Sequence, residues 1–246
     1  MTERVAAIPV PAATVMLVDP REPLTTYVMR RARTMAFAPG MHVFPGGRMS
    51  GADFAEVPWE PSEGFDPHAH ARQLSADVDL ARALTVCAVR ETFEETGVLI
   101  VRTRDGEVWG RAADPEDMES DRRSLVTGRT SLAALLAARD LVIDPMLLPP
   151  WDHWVTPQSQ PLRFDTRFFV AVLPEGQIAR DVSGEADHAG WFEPVSALEA
   201  HARGDLAMLP PTRSALADLA FHGSAAALLA AAPTRTITPV LTDVRP

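Results

Sequence analysis

The chain of 246 residues predicts a single α/β domain. Three observations carry that reading. Short apolar runs are interleaved with longer segments of helical period. One segment, Arg163 to Leu173, alternates with period two and puts Phe164, Thr166, Phe168 and Val170 on one face of a strand. Apart from residues 48–76 no stretch reads as a linker, and the length suits one domain with elaborations.

Ala13 to Val18 is an apolar run closed by Asp19-Pro20, and it reads as a buried strand. Thr25 to Arg31 is a second strand, with Arg21-Glu22-Pro23 as the turn between them. Pro39-Gly40 and Pro45-Gly46-Gly47 mark tight loops around a short extended piece, Met41 to Phe44. Residues 48–76 mix Pro, Gly, Asp and His without a period and read as an irregular insertion. Ser75-Ala76-Asp77 offers an N-cap, and residues 78–96 run helical to a stop at Gly97. Val98 to Val101 reads as a strand. Residues 115–140 hold one or two helices, one starting at Asp114-Pro115 and one running from Ser131 to Arg139. Trp154 to Pro157, Arg163 to Leu173 and Gly190-Trp191-Phe192 are strand segments, and Pro194 to Arg203 is a helix. Residues 211–232 are an alanine-rich helical region broken at Gly223, whose stretch from Ser224 to Ala232 is a candidate homodimer face. Ile237 to Leu241 closes the sheet as a last short strand.

Composition narrows the function. Hydrophobic residues make up 46% and charged residues 23%, ordinary for a globular chain. The single cysteine, Cys87, excludes an internal disulfide and a Cys-based zinc site; it reads as a small buried thiol and suits a reducing, cytoplasmic setting. The apolar stretch Ala6 to Val18 holds 13 residues and two prolines, too short to span a bilayer, so no membrane partner is expected. A net charge of −10 disfavours nucleic acid as a partner. All 23 basic residues are arginine, which excludes mechanisms that need a catalytic lysine.

Residues 90–97 read Arg-Glu-Thr-Phe-Glu-Glu-Thr-Gly. At about 100° per residue, Glu91, Glu94 and Glu95 fall within an arc of roughly 100° on one helical face, with Val86, Val89 and Phe93 opposite them as the anchor to the core. Carboxylates so close repel by up to about a few kcal/mol per pair at an effective dielectric near 20. A divalent cation relieves that repulsion, and an all-oxygen donor set favours Mg²⁺ or Mn²⁺ over zinc. Arg90 can hold one carboxylate in place. Upstream, Phe44-Pro45-Gly46-Gly47 is a sharp turn that lets backbone approach a phosphate or a metal.

These residues resemble the signature of the Nudix hydrolases, G-x5-E-x7-R-E-U-x-E-E-x-G-U, where U is bulky and apolar. Gly47, Arg90, Glu91, Glu94, Glu95, Gly97 and Val98 match, and Thr92 stands where a bulky apolar residue is usual. The signature places 13 residues between its first Gly and its Arg; here 42 intervene. The isolated Glu has no clean counterpart, and Asp53, within reach of Gly47, is its better candidate. A signature split by a long insertion, flanked by residues 37–47 and 87–91 and followed by Trp154-Val155-Thr156-Pro157 and by residues 163–169, is similar to the peroxisomal coenzyme A diphosphatases of this superfamily.

The resemblance implies a Nudix-type α/β/α sandwich with a mixed sheet and extra C-terminal helices. It implies a Mg²⁺- or Mn²⁺-dependent diphosphatase acting on a small-molecule diphosphate, with coenzyme A or acyl-coenzyme A as the first expectation. ADP-ribose, NADH or a nucleotide sugar is the rival substrate class, and a Nudix-fold nucleotide sensor that does not cut is the rival from another class. Glu94 and Glu95 are then metal ligands, Glu91 a ligand or the water-activating base, and Arg90 the group that orients them. A carbonyl of Gly46 or Gly47 completes the coordination. Glu185, six residues before Trp191, is the candidate extra acid, with Asp187 and Asp53 as alternatives. Arg30, Arg31 and Arg33 are candidates for the substrate's phosphates. A coenzyme A motif of other Nudix enzymes, R-[SA]-x3-R-x3-G-x3-F-P-G-G, is met by Gly40 and Phe44 to Gly47, whereas Ala36 stands where its second Arg belongs. His42, His68 and His70 read as solvated loop residues, and Trp151 and Trp154 as packing residues.

Overall fold

The computed structural model describes residues 7–35, 37–110, 114–182 and 186–241. In chain order the elements are β1 (Val10–Asp19), β2 (Thr25–Arg31), β3 (His42–Val43), β4 (Gly46–Arg48), α1 (Pro67–Gln73), α2 (Val78–Thr96), β5 (Arg102–Thr103), α3 (Pro115–Val126), α4 (Leu132–Ala138), β6 (Leu141–Val142), β7 (Pro150–Val155), β8 (Phe164–Val172), β9 (Ala186–Phe192), α5 (Pro194–Arg203), α6 (Pro210–His222), α7 (Ala225–Ala231) and β10 (Val240–Leu241).

Strand β1 is the spine. It pairs in parallel with β8 along its whole length, from Val10 opposite Phe164 to Val18 opposite Val172. Antiparallel β7 and then parallel β10 extend the sheet beyond β8. The alternation of the strands builds two cores, because successive side chains leave opposite faces. Ala13, Val15 and Leu17 of β1, with Phe169 and Ala171 of β8, meet Val86, Val89 and Phe93 of α2. Met16 and Val18, with Phe168 and Val170, meet Ala215, Leu216 and Leu219 of α6 and Leu228 of α7. Helices on both faces of one mixed sheet make an α/β/α sandwich.

The other edge of β1 positions the site. It meets β2 only at Val18 opposite Thr26 and Asp19 opposite Thr25, and then the two strands part. The gap is filled by residues 42–48. Strand β3 pairs with Met29 and Arg30 of β2, and β4 pairs with Ala12, Ala13 and Thr14 of β1. Between them the Val15 N–H donates to the Pro45 carbonyl at 2.8 Å. The glycine turn is thus wedged into the split sheet with α2 packed over it. Gly46, at φ 151°, has no room for a side chain, since a Cβ there would lie 2.3 Å from the Ala13 carbonyl oxygen.

Helix α2 starts and stops where the sequence says. The Asp77 carboxylate accepts the Leu80 N–H, and Gly97 ends the helix in the left-handed region at φ 74°. Two expectations need correction. Residues 98–101 are fully buried but form no strand: the Gln177 side chain accepts the Leu99 N–H at 2.8 Å and donates to the Leu99 carbonyl at 2.9 Å, the Thr96 hydroxyl accepts the Val98 N–H and the Val101 carbonyl accepts the Trp109 N–H. A side chain 78 residues away replaces a ladder partner, which local pattern cannot foretell. The insertion 48–76 is also more ordered than its composition suggests. It holds a 3-10 turn at Gly51–Phe54 and helix α1, capped by Asp66. Val57, Ala71 and Leu74 enter the core beside α2, and Pro58 and Glu60 exchange backbone hydrogen bonds with Ile143.

Among the described residues no single helix is long and apolar enough to cross a membrane.

Candidate active site

Glu91, Glu94 and Glu95 gather where α2 passes over the glycine turn. The Glu95 carboxylate, 7% exposed, accepts the Gly46 N–H at 2.7 Å. Glu91 lies against Gly47 so closely that a Cβ on that glycine would stand 2.5 Å from a Glu91 carboxylate oxygen. Glycine at 47 is therefore a condition for seating Glu91. Arg90 ties the cluster together. Its Nε and Nη2 bind the two oxygens of Asp53 at 2.7 and 2.9 Å, and its Nη1 donates to Glu91 at 2.8 Å and Glu94 at 3.2 Å. Asp53 is 2% exposed and comes from the 3-10 turn of the insertion, where it also accepts the Ser50 N–H at 2.7 Å. A fork-to-fork pair of this kind fixes geometry as well as charge.

Burial pushes the Glu91 carboxyl up to about 7, with Arg90 pulling it down and Glu94 pushing it up. A carboxyl poised near neutrality in a cleft suits proton transfer. The Cys87 thiol, also behind the turn, is held neutral by burial and the nearby Asp53 and Glu91 charges, which fits an inert packing role. Among the described residues no three His, Cys, Asp or Glu side chains converge as a preformed ion cage. The donor chemistry nevertheless fits a hard cation: the acids at the turn offer carboxylate oxygens with no imidazole or thiolate among them.

These acids form one end of a cavity of about 760 Å³. Its floor follows alternate residues of β8. Phe168 is level with Gly46 through Thr14, Thr166 is level with Arg48 through Ala12, and Phe164 follows. At about 3.3 Å per residue, Phe164 lies roughly 13 Å along the strand from Phe168. Trp154 and Val155 of β7, the loop after them, and Leu209 to Thr212 at the start of α6 form the walls.

The predicted residues distribute unevenly. Gly46, Gly47, Glu91, Glu94, Glu95 and Arg31 line the cavity. Arg90 stands behind the acids. Arg31 donates from Nε to the Phe37 carbonyl at 3.0 Å. Arg30 lies outside the lining and pairs with Asp187 at 2.5 Å, and Arg33 is exposed outside it too. Glu185 and Ala36 fall outside the described residues. Asp53 anchors Arg90 and does not face the cavity. Two histidines read as solvated are buried instead. His42 sits against the Ala207 carbonyl at 3.2 Å, and His70 contacts the Thr85 hydroxyl at 3.0 Å. Trp151 is core, with Arg235 over its ring at 4.2 Å, while Trp154 lines the cavity. Arg48, Phe37, Leu162 and residues 209–212 also line it; no local pattern in the sequence marks them.

A split sheet with an acidic helix over its glycine turn is the architecture of a Nudix hydrolase. Residues 58–219 match the NUDT19 Nudix domain family, and the chain belongs to that family. The human protein named acyl-coenzyme A diphosphatase NUDT19 is 29% identical over 226 residues, covering 78% of this chain and 59% of its own length. The Xenopus laevis protein of the same name is 25% identical over 215 residues, covering 75% and 56%. The chain thus spans less than two thirds of these curated relatives. A crystal structure of a Nudix hydrolase from Alicyclobacillus acidocaldarius matches with a TM-score of 0.75 at 31% identity, covering 91% of this chain and 96% of that one. The expected Nudix-type sandwich is the fold observed.

Proposed function

We propose that this chain hydrolyses the diphosphate of coenzyme A or an acyl-coenzyme A, with Mg²⁺ or Mn²⁺ held by Glu91, Glu94 and Glu95. One observation carries the reading: three carboxylates of a single helical turn and the Gly46-Gly47 bend share one end of a long cavity. Relatives named acyl-coenzyme A diphosphatase support the substrate class.

Bound Mg²⁺ or Mn²⁺ would supply charge neutralisation of the diphosphate and a more acidic water. Glu94 and Glu95 present the oxygens that would hold it, together with a Gly46 or Gly47 carbonyl. Arg90, locked by Asp53, keeps Glu91 and Glu94 in register. Glu91, buried against Gly47, is a further ligand or the base beside the ion, and in the second role it would take the proton of the attacking water. The water oxygen bonds to phosphorus as the bridging P–O bond breaks, giving 3′,5′-ADP and a phosphopantetheine product. Arg31 and Arg48, the cationic residues in the described lining, offer charge to the phosphates.

The test is a panel of purified substrates with Mg²⁺ or Mn²⁺: coenzyme A, octanoyl-coenzyme A, ADP-ribose, NADH and a nucleotide sugar. The reading expects release of 3′,5′-ADP from the first two. Fast cleavage of ADP-ribose with none of coenzyme A would overturn the substrate class. No turnover of any member would favour a nucleotide sensor.

A further inference from the structure

Helix α3 carries an arginine where its pattern calls for an apolar residue. Met118, Arg122 and Leu125 are its buried positions and lie on one helical face, and Met118 and Leu125 enter the core shared with α2. An arginine is seldom fully buried unless it is paired. Arg122, 6% exposed, uses its whole fork. Its Nε and Nη2 donate to the two Glu119 oxygens at 2.8 and 2.9 Å, and its Nη1 donates to the Glu94 backbone carbonyl at 3.0 Å. The Glu119 carboxylate balances the charge and, because the guanidinium is planar, fixes the direction of the remaining donor.

The carbonyl it holds belongs to the end of α2, where the acids sit. The Gly97 N–H closes the last bond of that helix, to the Phe93 carbonyl at 2.9 Å, so the carbonyls of residues 94–96 must be met from outside it. Arg122 meets the first of them, and the Arg180 N–H meets that of Thr96 at 3.0 Å. This turn needs the support. The Thr92 and Thr96 hydroxyls bond back to the Ala88 and Thr92 carbonyls at 2.8 and 2.6 Å, a pattern that weakens and bends helices. Glu91 and Glu95 are like charges one turn apart, and the acids stand at the negative pole of the helix dipole. A buried cation at that pole opposes both charge effects.

We propose that Arg122, from outside the Nudix signature, is a positioning residue for the ion site: by holding the Glu94 carbonyl it keeps the last turn of α2 intact while the carboxylates of that turn face a cation. The inference rests on the reading that Glu91, Glu94 and Glu95 hold the divalent ion, and it adds what keeps their helix end in place. Arg90 and Arg122 divide the work. Arg90 binds carboxylate oxygens of Glu91 and Glu94, the atoms an ion needs, so its hold there competes with the ion. Arg122 touches backbone, with its charge matched by Glu119, and leaves the acids to the ion.

Two measurements test it apart from the cleavage reaction. In the first, Mn²⁺ is titrated into the native protein, Arg122→Met, Arg122→Lys and Leu125→Ala, with the free ion followed by electron paramagnetic resonance. Arg122→Met keeps a buried apolar stem and removes the donors, and it should weaken Mn²⁺ binding about tenfold. Arg122→Lys keeps a cation able to donate to the Glu94 carbonyl, and it should lie nearer the native affinity; it also carries the comparison if Arg122→Met does not fold. Leu125→Ala weakens the same face of α3 without touching the end of α2. Its Mn²⁺ affinity should equal the native value even where its melting point falls as far as that of Arg122→Met. In the second, hydrogen exchange is followed in the metal-free proteins. The Thr96 and Gly97 amides should exchange about tenfold faster in Arg122→Met than in Leu125→Ala. Native affinity in both Arg122 variants, or an equal loss in Leu125→Ala, overturns the proposal. A native protein that binds no Mn²⁺ overturns the ion reading itself, and exchange at Thr96 and Gly97 that still depends on Arg122 would then show the hold on the helix end apart from that reading.

Discussion

The two ends of the cavity are built in opposite ways. At the acid end every polar group is tied to another. Asp53 is nearly inaccessible and grips Arg90 with both oxygens, Arg90 reaches Glu91 and Glu94, and Glu95 takes the Gly46 N–H. At the far end, Leu162 and Phe37 belong to connecting loops and stay partly open to solvent. Preorganised charge is worth most where chemistry happens. The contrast also assigns work to the insertion. By carrying Asp53, a segment that splits the Nudix signature supplies the anchor for the signature's own arginine.

Changes at the acid end should therefore damage both stability and activity, while changes at the far end should leave stability nearly untouched. Asp53→Ala leaves the buried Arg90 guanidinium without its bidentate partner, and urea unfolding should show a loss of about 3–5 kcal/mol. A loss below about 1 kcal/mol would mean that Glu91 and Glu94 hold Arg90 unaided. Another link from the insertion to α2 is His70, whose imidazole burial pushes down to about 4 against Thr85. The folded state keeps this ring neutral, so protons bind the unfolded chain first as the pH falls below the usual histidine value near 6.5. Stability should decline from about pH 6.5 toward 4 by up to about 3 kcal/mol. His70→Gln, which retains a hydrogen-bonding group without titrating in this range, should lose that part of the slope in urea melts at a series of pH values. Gly47→Ala pushes a methyl into the Glu91 carboxylate and should cost about 1–3 kcal/mol, with turnover falling further than stability. At the other extreme, Leu162→Ser should move the unfolding free energy by less than about 0.5 kcal/mol. A larger effect would show that the far end is structural and would erase the contrast.

The same division separates what sequence alone discloses from what it does not. Helix α2 and its acids were legible because the signal is local: a capping Asp77, a helical period, and a glycine stop at Gly97. The two-faced sheet was legible for the same reason, through the alternation of Phe164, Thr166, Phe168 and Val170. The far end was not, because Phe37, Leu162 and the start of α6 meet only through the sheet topology. Neither were the buried histidines nor the loss of a strand at residues 98–101. Both depend on partners distant in the chain, Thr85 for His70 and Gln177 for Leu99. Arginines near the glycine turn looked equivalent in sequence, yet strand alternation sends Arg30 to Asp187 and Arg31 to the cavity.

The central claim is that Glu91, Glu94 and Glu95 jointly hold a divalent cation at the glycine turn. Titrating Mn²⁺ into the native protein and into Glu94→Gln, with the free ion followed by electron paramagnetic resonance, tests it most directly. Saturable binding by the native protein is expected, weakened by about tenfold or more in Glu94→Gln, with diphosphate cleavage falling in parallel. Equal Mn²⁺ affinity in both proteins, or cleavage that survives both the substitution and complete chelation, would contradict it.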